Sequence, residues 1–168
     1  LVKGLGNTVL ITFFALLIGV VLGVLIALVR VTYQQRDKKG PILTILNLLC
    51  GLYLTVIRGT PMVVQLMIMY FVILTGNISP IMIAVVSFGI NSGAYVAEVI
   101  RSGIQSVDRG QTEAAYALGF SDSRTFFTVI LPQAALHFMP AFKGEVVALI
   151  KATAIVGYIA VQDLTKIK

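Results

Sequence analysis

The sequence predicts an all-α, polytopic transmembrane helical bundle. Hydrophobic residues make up 58% of the 168 residues and charged residues 12%, whereas charged residues make up about a quarter of a soluble domain. Two stretches without any charge, residues 4–29 and 59–97, exceed the roughly 20 residues that a helix needs to cross a bilayer. We therefore expect a single transmembrane domain over residues 1–168, with lipid as its solvent.

The net charge of +6 does not indicate a nucleic-acid partner. The 13 Lys and Arg residues lie in short clusters between apolar runs, and they form no basic face interleaved with aromatic residues. The single Cys50 lies inside an apolar run, so it offers neither a disulfide framework nor the spacing of metal ligands. We expect no nucleic acid and no metal site.

The first crossing is predicted at about residues 5–29. A cleaved signal peptide is the competing interpretation, and we do not expect it because the apolar run is too long, no small-residue cleavage pattern follows, and further apolar runs come after it. Gly19 and Gly23 are spaced as G-x-x-x-G, which lets another helix approach closely.

The second crossing is predicted at about residues 41–74, with a break near residues 58–61. Pro61 has no amide donor and disfavours helix in the residue before it. We count this stretch as one net crossing because both flanking basic loops, residues 30–39 and 101–124, then lie in the cytoplasm, as the positive-inside rule expects.

Turn-forming residues at 75–80 separate this stretch from the third crossing, predicted at about residues 81–100. The fourth is predicted at about residues 136–150. Residues 152–161 are apolar but too short to span a bilayer, so we expect a re-entrant segment there.

The cytoplasmic loop between the third and fourth crossings predicts a short helix at about residues 109–118. Asp108 is a suitable N-cap, Gln111 is placed to complete a capping box, and Gly119 suits the left-handed residue that ends a helix. Three alanines keep the helix thin, and Tyr116 and Phe120 share one face. A docking helix fits this pattern better than an interfacial helix, which needs more bulky apolar and basic residues.

The loop and its surroundings resemble a known family. Glu113-Ala114-Ala115 is followed at fixed spacing by Gly119, Val129 and Leu131-Pro132, and this resembles the EAA signature of permease subunits of bacterial ATP-binding-cassette importers. Valine stands at 129 where the pattern usually has isoleucine. Stretches at residues 58–65, 91–107 and 149–153 resemble the polar amino-acid (histidine, arginine and glutamine) branch, so the likeness covers nearly the whole chain.

The resemblance implies the type I (MetI-like) permease fold of these importers, here lacking the family's last transmembrane helix, in the plasma (inner) membrane of a bacterium. It also implies an importer in which a second permease subunit, identical or different, completes the path within the lipid. A cytoplasmic ATPase drives the importer, and an extracytoplasmic binding protein delivers the amino acid. The residues implied in contact with the ATPase are Glu113, Ala114, Ala115, Tyr116, Gly119 and Phe120.

The sequence contains no Gly-Lys pair and therefore no P-loop that could cradle ATP phosphates. We expect this chain to be a transport subunit that binds no cofactor and is not an enzyme. ATP and Mg are expected on the partner ATPase.

Ionisable groups inside crossings are costly and are candidates for function. Within the resemblance, Glu98 and Glu145 are candidate ligands for a cationic group, with hydrogen bonds and shape supplied by Thr60, Pro61, Gln65 and Asn91. A carboxylate at Glu145 favours a cationic amino acid over glutamine. Glu98 has a second interpretation, a structural ion pair with Arg101 three residues later.

Two other polar residues in the fourth crossing carry weaker signals. His137 is expected to be a hydrogen-bonded structural residue rather than a proton relay, and Lys143 can reach an interface with its long side chain. A membrane scaffold or channel subunit with a docking loop is the alternative function. An intramembrane enzyme has no catalytic constellation in its favour.

Overall fold

The computed structural model describes residues 2–36 and 38–159. Every regular element in this part of the chain is a helix, which confirms the predicted fold class. In chain order the helices are α1 (Val2–Gln35), α2 (Pro41–Gly59), α3 (Met62–Ile68), α4 (Pro80–Gln105), α5 (Arg109–Ala117), α6 (Asp122–Thr125) and α7 (Leu131–Ala152). A π-helical turn, Met69–Ile73, continues α3, a second one, Phe126–Ile130, joins α6 to α7, and a 3-10 turn, Thr153–Ile159, follows α7.

Four helical stretches of the described chain are long and apolar enough to cross a membrane: Gly4–Gln35, Pro41–Gly59, Pro80–Gln105 and Asp122–Val156. The first, third and fourth spans extend past the expected crossings because backbone hydrogen bonding continues where the side chains become polar, whereas the second span ends at Gly59 and the shorter apolar helix Met62–Ile73 follows it. The chain does break near residues 58–61, where Thr60 and Pro61 lie between α2 and α3. Of the expected re-entrant segment, residues 160–161 lie outside the described residues.

Helix α4 is the centre of the bundle, and α1 packs along it at very short range. A methyl group added to Gly23 of α1 would lie 2.6 Å from Cγ1 of Val96, and one added to Gly89 of α4 would lie 2.7 Å from Cγ2 of Ile18. Such distances are shorter than any ordinary contact, so the two backbones meet only because both positions lack a side chain. The G-x-x-x-G pair of α1 therefore does admit a close helix, and its partner is a second G-x-x-x-G pair, Gly89 and Gly93.

The other helices attach to α4 through separate apolar clusters. Leu66 of α3, Phe88 of α4 and Leu149 of α7 are buried together with Ile11 of α1. Near the opposite end of α4, a methyl group on Gly103 would lie 2.7 Å from Cβ of Phe138, so α4 and α7 are also close there. These clusters set α3 and α7 on neighbouring sides of α4.

Helix α2 is held more loosely than its neighbours. Leu54 is its buried residue, and the hydroxyl of Tyr53 donates a hydrogen bond to the carbonyl of Ile90 in α4. Most of its other apolar side chains are exposed, including Leu48 and Leu52. Helix α2 thus lies at the periphery of the described bundle, and its C-terminal end reaches the α2–α3 break.

Candidate functional site

The break between α2 and α3 is stabilised by one side chain, Gln65. Pro61 is the N-cap residue of α3 and has no amide donor, and carbonyl groups left free at such a point need partners inside a membrane. The Nε2 atom of Gln65 lies 2.7 Å from the carbonyl oxygen of Ile57, 3.1 Å from that of Thr60 and 2.7 Å from Oγ1 of Thr60. Gln65 therefore places its amide donors at the carbonyls of Ile57 and Thr60, which lie at the break.

Gln65 also ties the break to α4. Its Oε1 accepts a hydrogen bond of 2.9 Å from Nδ2 of Asn91, and Asn91 is only 6% exposed. Both ends of the Gln65 amide are thus engaged, one by α2 and one by α4. A movement of the break relative to α4 must disturb this pair.

A cavity of about 540 Å³ opens beside the break. Its walls come from the break, from α4 and from α7, and they include four of the six residues predicted to line a solute path: Thr60, Pro61, Asn91 and Glu145. Gln65 lies behind this wall, bonded to Thr60 and Asn91. Residues more than 80 positions apart in the sequence therefore meet in one chamber whose volume suits a small organic ligand.

Glu145 is the carboxylate that faces this cavity. It lies on α7 and is half-buried, and it shares the cavity wall with Asn91 and Tyr95 of α4. A carboxylate in such surroundings is costly unless a positive group approaches it. The arrangement is suited to bind a ligand that carries a cation.

Glu98, which was also predicted for the solute path, does not line this cavity but an adjoining one that shares Arg58 and Gly59 with it. Glu98 lies in a neighbouring cavity of about 770 Å³, lined also by Arg30, Asn47 and Arg101. The Nε of Arg101 donates to Oε2 of Glu98 at 3.0 Å, and a second contact joins Nη2 to Oε1. The structure therefore supports the ion pair with Arg101, because the two residues lie one turn apart on α4.

Arg58 is the residue that sequence reasoning missed. It is the last basic residue of α2 and lines both cavities. Its Nη1 lies 3.8 Å from Oε2 of Glu98, and its guanidinium lies 5.6 Å from the centre of the Tyr95 ring. The sequence did contain a signal that could have identified Arg58 as a candidate site residue. It is an arginine beside a predicted helix break inside a crossing, and ionisable groups inside crossings are candidates for function.

The loop helix α5 has the ends that its sequence predicts. Oδ1 of Asp108 accepts a hydrogen bond of 2.6 Å from the amide of Gly110, and Gly119 has a φ of 78°, which is the left-handed region. The capping box is wrong, because Oε1 of Gln111 accepts instead from Nε2 of Gln133 on α7 at 3.3 Å. That bond fastens the first turn of α5 to the entrance of α7.

The residues predicted to contact an ATPase divide into two faces of α5 and its turn. Ala115 is 3% exposed and packs inward, so it cannot be a direct docking contact, and Phe120 lies 4.3 Å under the guanidinium of Arg124. The outward face consists of Glu113, Ala114, Tyr116 and Gly119. Sequence reasoning did not single out Leu118, which is 76% exposed beside them.

Tyr116 is the largest predicted contact on the outward face. Its side chain is 48% exposed. Partial desolvation and the carboxylate of Asp122 raise the pKa of its hydroxyl. The hydroxyl thus interacts with Asp122, and the exposed ring is the part of Tyr116 that is left to contact a partner.

The two weaker candidates of α7 point away from the described bundle. His137 and Lys143 are both exposed. Lys143 lies in the middle of the span Asp122–Val156, where a charge directed at lipid is costly. The position of Lys143 indicates a wet or protein-covered surface on that side of α7.

Comparison with known proteins gives consistent matches. The family model of the binding-protein-dependent transport system inner membrane component matches residues 42–167. The chain is 37% identical to the putative glutamine transport system permease protein GlnP of Rickettsia prowazekii (strain Madrid E) and to the arginine transport system permease protein ArtQ of Bacillus subtilis (strain 168), in each case over 99% of this chain and 73% of the relative.

A solved structure described as an amino acid ABC transporter with histidines matches with a TM-score of 0.86 and 40% identity. The match covers 98% of this chain and 74% of the solved one.

Proposed function

The chain belongs to the family of binding-protein-dependent transport system inner membrane components, and from this premise we propose that it imports a cationic amino acid through the cavity beside the α2–α3 break. It is a multi-pass inner-membrane permease subunit of an amino-acid importer of the ATP-binding-cassette type, and it is not an enzyme. Such a permease works with an ATPase subunit and a solute-binding protein. The scaffold or channel alternative is not retained.

The observation that carries the choice of substrate is Glu145 in the wall of the 540 Å³ cavity. An amino acid entering the cavity meets one carboxylate from α7, the Asn91 amide from α4 and the Thr60 hydroxyl at the break. A cationic side chain offsets the desolvation of Glu145, whereas the neutral side chain of glutamine does not. The relatives are named for glutamine and for arginine, and Glu145 favours the cationic class.

The outward face of α5 is proposed to dock on the ATPase. Glu113 offers a charge for a charge-assisted hydrogen bond, Tyr116 offers an exposed ring, and Ala114 leaves room for a partner's backbone. ATP and Mg are then bound by the ATPase. The permease alternates between an inward-facing and an outward-facing conformation. Closure of the ATPase displaces α5, and this displacement favours the outward-facing conformation.

A second permease subunit, identical or different, is proposed to cover the exposed side of α7. Lys143 is the reason, because a charge in the middle of a span requires water or protein beside it. The cavity beside Glu145 then lies between two subunits instead of opening to lipid. The binding protein delivers the amino acid from the opposite side to α5.

The test is ATP hydrolysis in proteoliposomes that contain the full-length permease, its ATPase and its binding protein, with arginine, lysine, histidine and glutamine as solutes. We expect a cationic amino acid to stimulate hydrolysis, and Glu145→Gln to raise its half-maximal concentration about tenfold, while the response to glutamine changes little. Glu98→Gln is the matched control, because that carboxylate lies in the neighbouring cavity. It should leave the ratio of cationic to neutral response unchanged.

The docking part has a separate readout in the same vesicles. Glu113→Ala is expected to abolish stimulation by solute while the isolated ATPase stays active. If no amino acid stimulates hydrolysis, the choice of substrate class fails. If Glu113→Ala leaves stimulation intact, Glu113 is a solvated carboxylate on the exposed face of α5 without a role in coupling.

A further inference from the structure

Arg58 stands at the wall between the two cavities, and each cavity offers it a different partner. On one side lies Glu98, 3.8 Å from Nη1. On the other side lies the chamber that contains Glu145, which Arg58 lines together with Thr60 and Asn91. Arg58 is the cationic residue among the residues that line this second chamber.

The attachment of Arg58 to Glu98 is weak by geometry. A guanidinium and a carboxylate in a good ion pair approach to about 2.8 Å, so a separation of 3.8 Å is long. The side chain of Arg58 is 42% exposed, and exposed pairs contribute little stability. Glu98 is already engaged at both oxygens by Arg101, and its charge therefore stays paired when Arg58 leaves.

An α-amino acid carries a carboxylate as well as an ammonium group. In this chamber Glu145 can bind the positive group of the amino acid, and Arg58 can bind its α-carboxylate. A guanidinium is a planar fork that matches a carboxylate with two parallel hydrogen bonds. The hydroxyl of Thr60 and the amide of Asn91 are polar but uncharged, so neither neutralises a carboxylate.

We propose that Arg58 binds the α-carboxylate of the transported amino acid in the chamber beside the α2–α3 break, and that it leaves Glu98 to do so. This inference rests on the proposed function of the same cavity. It makes Arg58 a residue that determines specificity for amino acids over their decarboxylated amines. It also links ligand binding to the end of α2, because Arg58 is its penultimate residue.

The experiment measures binding to the complete permease–ATPase complex in lipid nanodiscs without the binding protein, so that only the permease discriminates. Isothermal titration compares arginine with agmatine, which lacks the carboxylate, and glutamine with its decarboxylated analogue 4-aminobutanamide. Wild type should prefer the amino acid at least about tenfold, and Arg58→Gln should weaken amino-acid binding about tenfold to a hundredfold. The amines should bind Arg58→Gln no more weakly than they bind wild type.

Three further variants make the result decisive. Arg30→Gln is the matched control, because Arg30 lies in the neighbouring cavity and donates to Asn47 at 3.1 Å, so its preference should equal that of wild type. Arg58→Lys keeps the charge without the bidentate guanidinium and should keep part of the preference for amino acids over amines. If Arg58→Gln fails to assemble with the ATPase, the comparison of Arg58→Lys with wild type tests the role of Arg58. Glu98→Gln removes the competing carboxylate and should strengthen amino-acid binding several-fold.

The outcomes distinguish a failure of the Arg58 proposal from a failure of the proposed amino-acid import. If wild type binds neither amino acid, the substrate class falls and the role of Arg58 falls with it. If wild type prefers amino acids and Arg58→Gln keeps that preference, the role of Arg58 is refuted while the proposed function stands. Weaker amino-acid binding by Glu98→Gln would refute the exchange of partners.

Discussion

The close seam between α1 and α4 predicts that single methyl groups destabilise this protein. In Gly23→Ala the new Cβ would lie 2.6 Å and 2.7 Å from atoms of Val96 and 3.0 Å from the amide nitrogen of Ala97. In Gly89→Ala it would lie 2.7 Å and 2.8 Å from atoms of Ile18. The nearest atoms belong to β-branched side chains, which have little rotamer freedom in a helix, so the helices must move apart.

The expected magnitude follows from two opposing effects. Overpacking costs about 1–3 kcal/mol, and alanine gains up to about 1 kcal/mol over glycine inside a helix. The net loss is up to about 2 kcal/mol, which corresponds to a fall in midpoint temperature of roughly 4–8 °C for a chain of this size.

The assay is thermal unfolding of the detergent-solubilised permease, followed by size-exclusion chromatography. Gly6→Ala in α1 is the matched control, because nothing lies within 4 Å of its added methyl group, and it should be neutral or stabilising. If Gly23→Ala and Gly89→Ala unfold at or above the temperature of Gly6→Ala, the packing argument for the seam is refuted.

Three other substitutions test local features. Gln65→Leu leaves the carbonyl of Ile57 without its side-chain donor and should cost about 1–3 kcal/mol, seen as a lower unfolding temperature together with reduced transport. Asp108→Ala removes the cap of α5 and should cost about 0.5–2 kcal/mol, with faster amide exchange confined to residues 109–117. Gly119→Val meets no atom within 4 Å but places a β-branched residue at a φ of 78°, so coupling to ATP hydrolysis should fall while the permease still folds; unchanged coupling would contradict this.

Much of the helical architecture could be predicted from the sequence because its signals are local. Long gaps between charges indicate the crossings, and the cap at Asp108 and the glycine at 119 lie within a few residues of the ends that they define. Pro61 likewise marks the break at its own position. The capping box failed because a longer-range partner, Gln133, binds the Gln111 side chain.

The composition of the site could be predicted only in part, because it depends on which helices meet. Thr60, Asn91 and Glu145 were predicted within the family resemblance, and their meeting requires the packing of α3 and α7 on α4. Glu98 lies two turns from Asn91 on α4, yet it belongs to the neighbouring cavity. For Ala115, the sequence gives the helix but not which face turns inward.

The glycine seam also bears on how force crosses the molecule. Because the close contacts at Gly23 and Gly89 oppose sliding and separation of α1 and α4, we expect the two helices to move as one rigid unit. Helix α4, with 26 residues, is about 39 Å long. Helix α5 begins four residues after the end of α4. If a displacement of α5 tilts α4 by about 3°, the N-terminal end of α4 moves by about 2 Å. We therefore expect the close packing at Gly23 and Gly89 to convert a small displacement of α5 into ångström-scale motion at the other end of α4.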